Sequence, residues 1–527
     1  MESWLMIIIT LCISFFLKSI FNLLTFSKSN HKNKKLPPGP FPFSAIGCLL
    51  WFNADIQLIL RDLKTKYGPL INLRIGSLRP SIFVASHSLA YQALVQHSAV
   101  FSDRPKDMQT VNSQRVNISF SPYGPLWRLL RRNLTSEIVQ PSRVKCYSNA
   151  RSWALSILIQ RLLHAQSDSG QVARLIDHFQ HAMFCLLLLM CFGEKIEGVR
   201  AKQIEDTQRR WLLSNSRFKK LIKFFPRGLG KIIFKNRWEE LVQLQQEQEG
   251  IFIPLIQARM TAKSSEKISD GSNQETEDEA KVAPVACYVD TLLNLELPEE
   301  KKKLNLGQII SLCSEFLNAA TDTTSTSLQW IMANLVKYPS IQEKLYQEIC
   351  EVVNTGNPNE GKTNIVKEED VQKMPYLKAV ILEGLRRHPP VHLLLPHAVT
   401  EEVELNGYAI PKDSTINFMV ADIGLDPEVW ENPLDFKPDR FLDHDTTEAF
   451  DIIGSRDIKM MPFGAGRRVC PGYGLAMLHL EYFVANLIWH FEWKGVDGDD
   501  VGLSELQELT VVMKNPLRAR VLPRVNQ

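Results

Sequence analysis

The spacing of apolar residues is helical over most of the chain and alternates in two short stretches. Apolar positions recur every three or four residues from about Leu306 to Val336, which predicts a long helix. Residues 70–86 and 404–420 alternate instead, and each stretch contains turn residues, so both predict strands on either side of a turn. With no internal repeat, the pattern predicts one large, mainly α domain with small β-sheets.

The first 40 residues follow a different pattern. The run from Trp4 to Phe26 is apolar except for Lys18 and a few polar residues, and about 20 apolar residues span a bilayer. The basic residues follow this run, which favours an uncleaved anchor with the rest of the chain in the cytosol over a cleaved signal peptide. The prolines of residues 36–40 predict a stiff hinge. We therefore expect an anchor at 1–26, a basic and proline-rich hinge at 27–40 and one domain at 41–527.

Two further stretches stand out by their polarity. Residues 263–281 contain almost no apolar side chains and predict an exposed, flexible loop. Residues 217–235 mix lysines with phenylalanine and isoleucine. This mixture predicts either contact with the membrane interface or an ordinary amphipathic helix pair.

Composition narrows the class of protein. The 527 residues carry 61 basic and 58 acidic side chains, so no strong overall field recruits nucleic acid. The nine cysteines are scattered, odd in number and free of any Cys-x-x-Cys pair. This pattern argues against a disulfide framework and against a structural zinc site, and it favours a reducing compartment. One cysteine is then available for chemistry while the others act as small buried apolar groups.

Cys470 is the cysteine with the most informative surroundings. It ends a glycine-rich loop, residues 461–472, directly before a helical pattern. A position at a helix N-terminus favours a thiolate, and a metal cation would lower the thiol pKa further. The alternatives are a buried structural cysteine and a dinucleotide-binding loop. The second lacks its third glycine, which is replaced by Val469, and no strand precedes the loop.

The segment around Cys470 resembles the cysteine signature of the cytochrome P450 superfamily, Phe-x-x-Gly-x-Arg-x-Cys-x-Gly. Every fixed position is matched, by Phe463, Gly466, Arg468, Cys470 and Gly472. The resemblance implies a P450 fold that binds haem b (iron protoporphyrin IX), with Cys470 as the axial ligand of the iron. It also implies that Phe463 covers the sulfur and that Arg468 meets a haem propionate.

Other motifs of the superfamily follow in the required order. Trp127 and Arg131 match its Trp-x-x-x-Arg motif, which implies that both bind the haem propionates. His397 lies where many members place another propionate donor, with a surface histidine as the alternative. Glu383 and Arg386 match Glu-x-x-Arg, a weak motif alone, and in the superfamily they lock to a later arginine, here Arg440. We interpret that triad as structural.

The segment Ala319–Thr324 resembles the oxygen-handling helix of the superfamily. Asp322 and Thr323 match its acid–alcohol pair, which delivers protons during the reduction of dioxygen. Ala320 departs from the pattern, because the superfamily has glycine there. An added methyl group at this position could crowd dioxygen or reshape the pocket.

The chain further resembles the eighty-nine A group of plant microsomal enzymes, over residues 313–339, 374–390 and 461–482. This resemblance implies a monooxygenase of the endoplasmic reticulum membrane that receives electrons from NADPH through a membrane-bound cytochrome reductase. The chain has no NADPH motif of its own. A basic surface is expected to dock the reductase, with a merely solvated face as the alternative; its candidate residues are Arg128, Arg132, Lys459 and Arg467.

The expected substrate is a lipophilic small molecule, such as a plant specialised metabolite or a pigment catabolite. The candidate pocket segments are mostly apolar and comprise 101–125, 312–320, 391–395 and 511–513. Two rival functions remain. One is a haem-thiolate isomerase or dehydratase that works without a reductase, which Asp322 and Thr323 argue against. The other is a non-catalytic haem binder, which Ala320 leaves open.

Overall fold

A computed structural model describes most of the chain. The described residues are Thr10, Ser14, 35–40, 56–73, 80–108, 115–167, 174–222, 229–269, 286–297, 301–354, 365–442, 449–496 and 501–524. The α-helices among them are α1 (Ile56–Tyr67), α2 (His87–Tyr91), α3 (Pro125–Leu134), α4 (Pro141–Lys145), α5 (Ser148–Ser167), α6 (Leu175–Phe192), α7 (Gly198–Ile222), α8 (Leu229–Ile233), α9 (Lys235–Ser269), α10 (Tyr288–Leu293), α11 (Leu306–Lys337), α12 (Pro339–Asn354), α13 (Glu368–Val371), α14 (Pro375–Arg387), α15 (Val420–Gly424) and α16 (Tyr473–His490).

The long helix α11 runs through the main apolar core and packs along α6. It begins where Asn305 and Gln308 cap each other: the Asn305 side chain accepts the Gln308 N–H at 2.9 Å, and the Gln308 side chain accepts the Asn305 N–H at 3.0 Å. It ends before Pro339, because proline disfavours the helical conformation in the residue that precedes it. The predicted helix from Leu306 to Val336 is confirmed.

Helix α14 crosses close to α11 and carries the Glu-x-x-Arg residues. Its first N–H groups, those of Tyr376 and Leu377, donate to the Glu348 carboxylate of α12 at 2.7 and 2.8 Å. A Cβ atom at Gly384 would lie 2.4 Å from Cγ1 of Ile331, so only glycine permits this approach of the two helices. The helix ends at Arg387, directly before His388 and the following prolines.

The strands form four small sheets. They are β1 (Leu70–Leu73), β2 (Ser81–Val84), β3 (His397–Ala398), β4 (Val403–Leu405), β5 (Tyr408–Ile410), β6 (Thr415–Phe418), β7 (Phe491–Lys494), β8 (Glu505–Gln507), β9 (Val511–Met513) and β10 (Arg520–Pro523). One sheet has four strands in the order β1-β2-β6-β3, with β2 and β6 parallel and the outer pairs antiparallel. The two-stranded sheets are β4–β5, β7–β10 and β8–β9.

Both alternating stretches contain the predicted strands, but their pairing differs. In residues 70–86, β1 and β2 pair with each other. In residues 404–420, β5 and β6 flank a turn closed by the Ser414 N–H and the Pro411 carbonyl at 3.2 Å. They then join different sheets, because β6 pairs with β2 and β3 while β5 pairs with β4.

Two expectations about segments meet the structure differently. The flexible loop predicted at 263–281 is wrong at its start, because α9 continues to Ser269; residues 270–285 lie outside the described residues. The anchor predicted at 1–26 lies outside them too, except for Thr10 and Ser14. In the described part of the chain, one helix is long and apolar enough to cross a membrane, α6, and it is mostly buried inside the protein.

Candidate active site

The Cys470 loop is shaped by two glycines with left-handed backbones, Gly464 at φ 69° and Gly466 at φ 68°. A Cβ atom at Gly466 would lie 1.9 Å from the Leu94 carbonyl oxygen, so the loop could not pack there with any other residue. The Cys470 N–H donates to the Phe463 carbonyl at 2.8 Å and closes the loop. These contacts fix where the sulfur lies, immediately before α16.

The Cys470 thiol is in a mixed electrostatic environment. Burial raises its pKa above the ordinary value, while the Gly472 N–H and the charge of Arg131 oppose that rise. In the protein alone, desolvation therefore raises the thiol pKa by more than the helix N-terminus lowers it. This differs from the sequence-based expectation that the position favours a thiolate. A metal cation bound to the sulfur would reverse this balance, because a coordinating thiol loses its proton.

Three arginines surround the Cys470 loop, and two of them were expected there. Arg131 donates to the Val469 carbonyl at 2.6 Å, and Arg468 donates to the carbonyls of Ser102 and Ser121 at 2.8 Å. The third, Arg104, donates to the Ser119 and Leu395 carbonyls at 2.8 Å and was missed by the sequence analysis. Its position depends on residues far along the chain, so no local signal in the sequence marks it.

These arginines leave a net positive charge in the interior. Burial is the largest cause that lowers the pKa of each, to about 9 for Arg104 and to about 10 for Arg468, and Arg468 also repels Arg104 and Arg131. Among the described residues, Asp103 is the carboxylate whose charge offsets those of Arg104 and Arg468. Buried cations need anionic partners. The cluster therefore fits haem, which would bring two propionates to the arginines and an iron to the thiol.

Trp127 and His397 lie beside the same arginines. The Trp127 ring has the Arg131 guanidinium 5.4 Å and the Arg468 guanidinium 4.6 Å from its centroid, but its indole N–H donates to the Ile118 carbonyl at 3.0 Å. His397 is buried, which excludes the alternative of a surface histidine. Its Nδ1 lies 2.6 Å from the Phe101 carbonyl, and burial lowers the pKa of His397 to about 3.

Helix α11 carries the second set of expected residues. The Thr323 hydroxyl donates to the Ala319 carbonyl at 2.6 Å, within the helix. Asp322 is half-buried and lies 3.8 Å from Arg209 of α7. Burial raises the pKa of the Asp322 carboxyl, and the charge of Arg209 opposes the rise. Ala320 packs against the main core. Acid and alcohol are therefore adjacent, and the acid has a cationic partner.

The Glu-x-x-Arg residues form the expected triad. Arg386 binds Glu383 through two contacts, of 2.7 and 2.8 Å, and Arg440 lies 3.1 Å from the same carboxylate. The Lys437 N–H also donates to Glu383 at 2.8 Å. The carboxylate and the Arg386 side chain are fully buried. The triad thus joins α14 to residues 437–440 in the interior.

Two of the four candidate docking residues converge with Tyr123. The guanidinium groups of Arg128 and Arg467 lie 5.5 and 5.2 Å from the Tyr123 ring centroid. Arg132 lines the same open groove, while Lys459 lies outside it. The groove therefore carries a basic face next to the Cys470 loop.

One wall of the candidate pocket is fixed by backbone hydrogen bonds. The Val511 N–H donates to the Pro390 carbonyl at 2.9 Å, and the Trp330 indole donates to the Val511 carbonyl at 2.8 Å. The Thr510 and Thr326 hydroxyls lie 3.2 Å apart. These contacts join β9, whose residues 511–513 the sequence assigned to the pocket, to Pro390 after α14 and to Thr326 and Trp330 of α11.

The chain belongs to the cytochrome P450 family: the family model described as Cytochrome P450 matches residues 37–522. It is an oxidoreductase of the haem monooxygenase class. It is 49% identical to Cytochrome P450 89A9 of Arabidopsis thaliana, over 98% of this chain and 99% of that protein. Flavonoid 3'-monooxygenase of Arabidopsis thaliana is 28% identical over 98% of this chain and 97% of that protein. The sequence-based resemblance is confirmed.

The fold matches solved structures of the same family. A zebrafish cytochrome P450 with progesterone superimposes with a TM-score of 0.69, covering 90% of this chain and 100% of that chain at 22% identity. The same kind of protein with abiraterone gives a TM-score of 0.65 at 22% identity. The predicted mainly helical P450 fold with small sheets is thereby confirmed.

Proposed function

We propose that this P450 inserts one atom of dioxygen into a lipophilic small molecule, a plant specialised metabolite or a pigment catabolite. NADPH supplies the electrons through a cytochrome reductase. The protein is held in the endoplasmic reticulum membrane by a single N-terminal span, with the catalytic domain in the cytosol. The observation that carries the proposal is the Cys470 thiol on its glycine loop, surrounded by arginines whose described hydrogen bonds go to backbone carbonyls.

Different residues of the chain would bind different parts of haem b. Cys470 is the iron ligand, and Phe463 covers the sulfur from the loop that it closes through its carbonyl. Arg131 and Arg468 would hold the propionates, with Arg104 added by the geometry described above; Trp127 places its ring beside these guanidinium groups, and His397 could donate only from a protonated Nε2. When bound, the haem supplies the reduction of dioxygen and the transfer of oxygen to the substrate.

Asp322 and Thr323 hold and move protons on the substrate side. Burial raises the pKa of Asp322, while the Arg209 charge favours its ionised form, so the carboxyl has a partner that stabilises it after it gives up a proton. A small cavity lined by Asp322, Arg209 and Glu205 has a volume of about 20 Å³, enough for one water molecule. This arrangement favours the monooxygenase over an isomerase or dehydratase, which needs no proton delivery.

The groove of Arg128, Arg132 and Arg467 docks the reductase. Its cations lie next to the Cys470 loop, where an electron donor has the shortest path to the iron. Opposite charge on the partner would steer the encounter, and the association would weaken with salt.

A reconstitution assay tests the proposal. Purified full-length protein and a plant reductase are combined in phospholipid vesicles with NADPH, isotopically labelled dioxygen and a library of terpenoids, phenolics, alkaloids and pigment catabolites. The expected result is one labelled oxygen atom in the product. Cys470→Ser is the control, and it should lose the red-shifted carbon-monoxide band of thiolate-ligated haem. Conversion of a hydroperoxide without reductase would instead support the isomerase. A haem-loaded protein with no turnover across the library would support the non-catalytic binder.

A further inference from the structure

Lys219 is a half-buried cation near the end of α7 whose described contact is an aromatic ring. Its Nζ lies 4.9 Å from the centroid of Phe120. Burial lowers the pKa of Lys219, so the protein desolvates the ammonium group. The sequence analysis assigned this lysine to a stretch that contacts the membrane or forms an ordinary helix pair. In the structure it lies near the end of α7, against Phe120 of the loop before α3.

That loop is tied to the oxygen-handling helix. The N–H groups of Ile118 and Ser119 each donate to the Glu315 carboxylate of α11 at 2.7 Å. Glu315 lies four residues before Ala319, which is about 6 Å along the helix axis. Ala319 in turn accepts the Thr323 hydroxyl. Phe120 follows Ser119 directly, so the ring that contacts Lys219 belongs to the loop that Glu315 binds to α11.

No carboxylate neutralises Lys219 within the described residues. Residues 207–238 contain no Asp or Glu, and neither do the undescribed segments 109–114 and 223–228. Glu315 accepts from the N–H groups of Ile118 and Ser119. Arg210, on the same helix, does have an acidic partner, because it lies 3.0 Å from Glu247.

We infer that Lys219 binds an anionic group of the substrate, so that the lipophilic substrates of this enzyme are carboxylic acids. The inference rests on the proposed function, because it concerns the substrate of the same site. A neutral substrate that filled the pocket would cover the ammonium group further without offering an acceptor, which is unfavourable. A carboxylate would replace the lost water with a charge-assisted hydrogen bond. Phe120 would then contact the apolar part of the ligand next to its charged end.

The test uses imidazoles with a carboxylate tail. ω-(Imidazol-1-yl)alkanoic acids of several chain lengths bind the haem iron through the imidazole. The carboxylate at the other end can then contact a cation at a distance set by the chain length. The methyl ester of each acid is the matched neutral probe. Spectral titration gives the dissociation constants. For at least one chain length we expect wild-type protein to bind the acid about tenfold more tightly than its ester.

Matched variants separate a site from a general charge effect. Lys219→Met should bring the acid to within about twofold of the ester, while Lys219→Arg should keep the preference. Lys231→Met is the control, because Lys231 also lies over a ring, 4.3 Å from the centroid of Trp238, but is exposed. It should behave as wild type. An equal affinity for acid and ester in wild type, or a preference that survives in Lys219→Met, overturns the inference.

Three further outcomes distinguish a failure of this inference from a failure of the proposed function. If Lys219→Met weakens sedimentation with phosphatidylserine vesicles and leaves the acid preference intact, the lysine contacts lipid and the inference is wrong. If wild type shows no thiolate-ligated haem spectrum, the proposed function fails first. If that spectrum is normal and the esters bind, but no acid binds better, only the carboxylate assignment fails.

Discussion

Nη1 of Arg209 lies 3.8 Å from Oδ1 of Asp322, which links α7 to the segment of α11 that carries Thr323. One turn before Arg209, Glu205 lies 3.1 Å from Nδ1 of the buried His181. Asp322 of α11 thus contacts Arg209 of α7, and a second contact of α7 is that of Glu205 with His181. Burial raises the pKa of Asp322, and the charge of Arg209 opposes that rise.

Asp322→Asn should slow product formation by about 100-fold or more, because an amide cannot donate and regain a proton. Substrate binding, measured by spectral titration, should change by less than about twofold. The rate is measured as product formed against NADPH consumed in the reconstituted system. Asp206→Asn is the control, since Asp206 is an exposed partner of Lys202. Equal losses in both variants would exclude a proton-transfer role for Asp322.

Gly466→Ala should abolish thiolate-ligated haem. The new Cβ would meet the Leu94 carbonyl at 1.9 Å at a φ of 68°, so the loop must move and the sulfur with it. The measurement is the carbon-monoxide difference spectrum per mole of protein. Gly474→Ala is the matched control, because a Cβ there meets nothing within 4 Å inside α16. A normal spectrum in Gly466→Ala would show that the loop tolerates displacement.

Glu383→Gln should lower the free energy of unfolding by about 3–5 kcal/mol, because it leaves Arg386 and Arg440 without their buried anion. The midpoint of guanidinium unfolding measures the effect. Glu240→Gln removes an exposed partner of Arg237 and should cost less than about 1 kcal/mol. If both variants are equally stable, the triad contributes little to the fold.

His479 should make the protein sensitive to acid. It is buried in α16, and desolvation, aided by the charge of Arg151, lowers its pKa from 6.5 to about 3. The unfolded chain binds this proton more readily, so stability falls by about 1.4 kcal/mol per pH unit as pH drops from 6.5 towards 3.

His479→Phe should reduce that slope while keeping an aromatic ring next to Phe483. Unfolding free energies measured at several values of pH between 4 and 7 compare the slopes, which do not depend on how well the new ring packs. The exposed His164, replaced by Asn, should leave the slope as in wild type. An unchanged slope in His479→Phe would assign the acid sensitivity to other groups.

The sequence located the elements whose signal is local. Fixed spacing located Cys470 and its neighbours, and helical periodicity located α11 to within a residue of its end. Arg104 could not be found this way, because it is defined by the Leu395 carbonyl, far along the chain. The sequence located Trp127 by its motif, but it could not show that the indole N–H donates to the Ile118 carbonyl. Polar composition misled at 263–269, since long polar helices look like loops when only apolar periodicity is counted.

The close approach of Gly466 to Leu94 also constrains how the protein matures. One side of the thiol loop is formed by a segment made early in synthesis, and the other by residues made near its end. Contacts so distant along the chain form late in folding. Haem can therefore bind only after synthesis of the chain has passed the loop. Truncated translation products that end before the loop should not bind haem, even when they contain every arginine of the haem cluster that lies upstream of it.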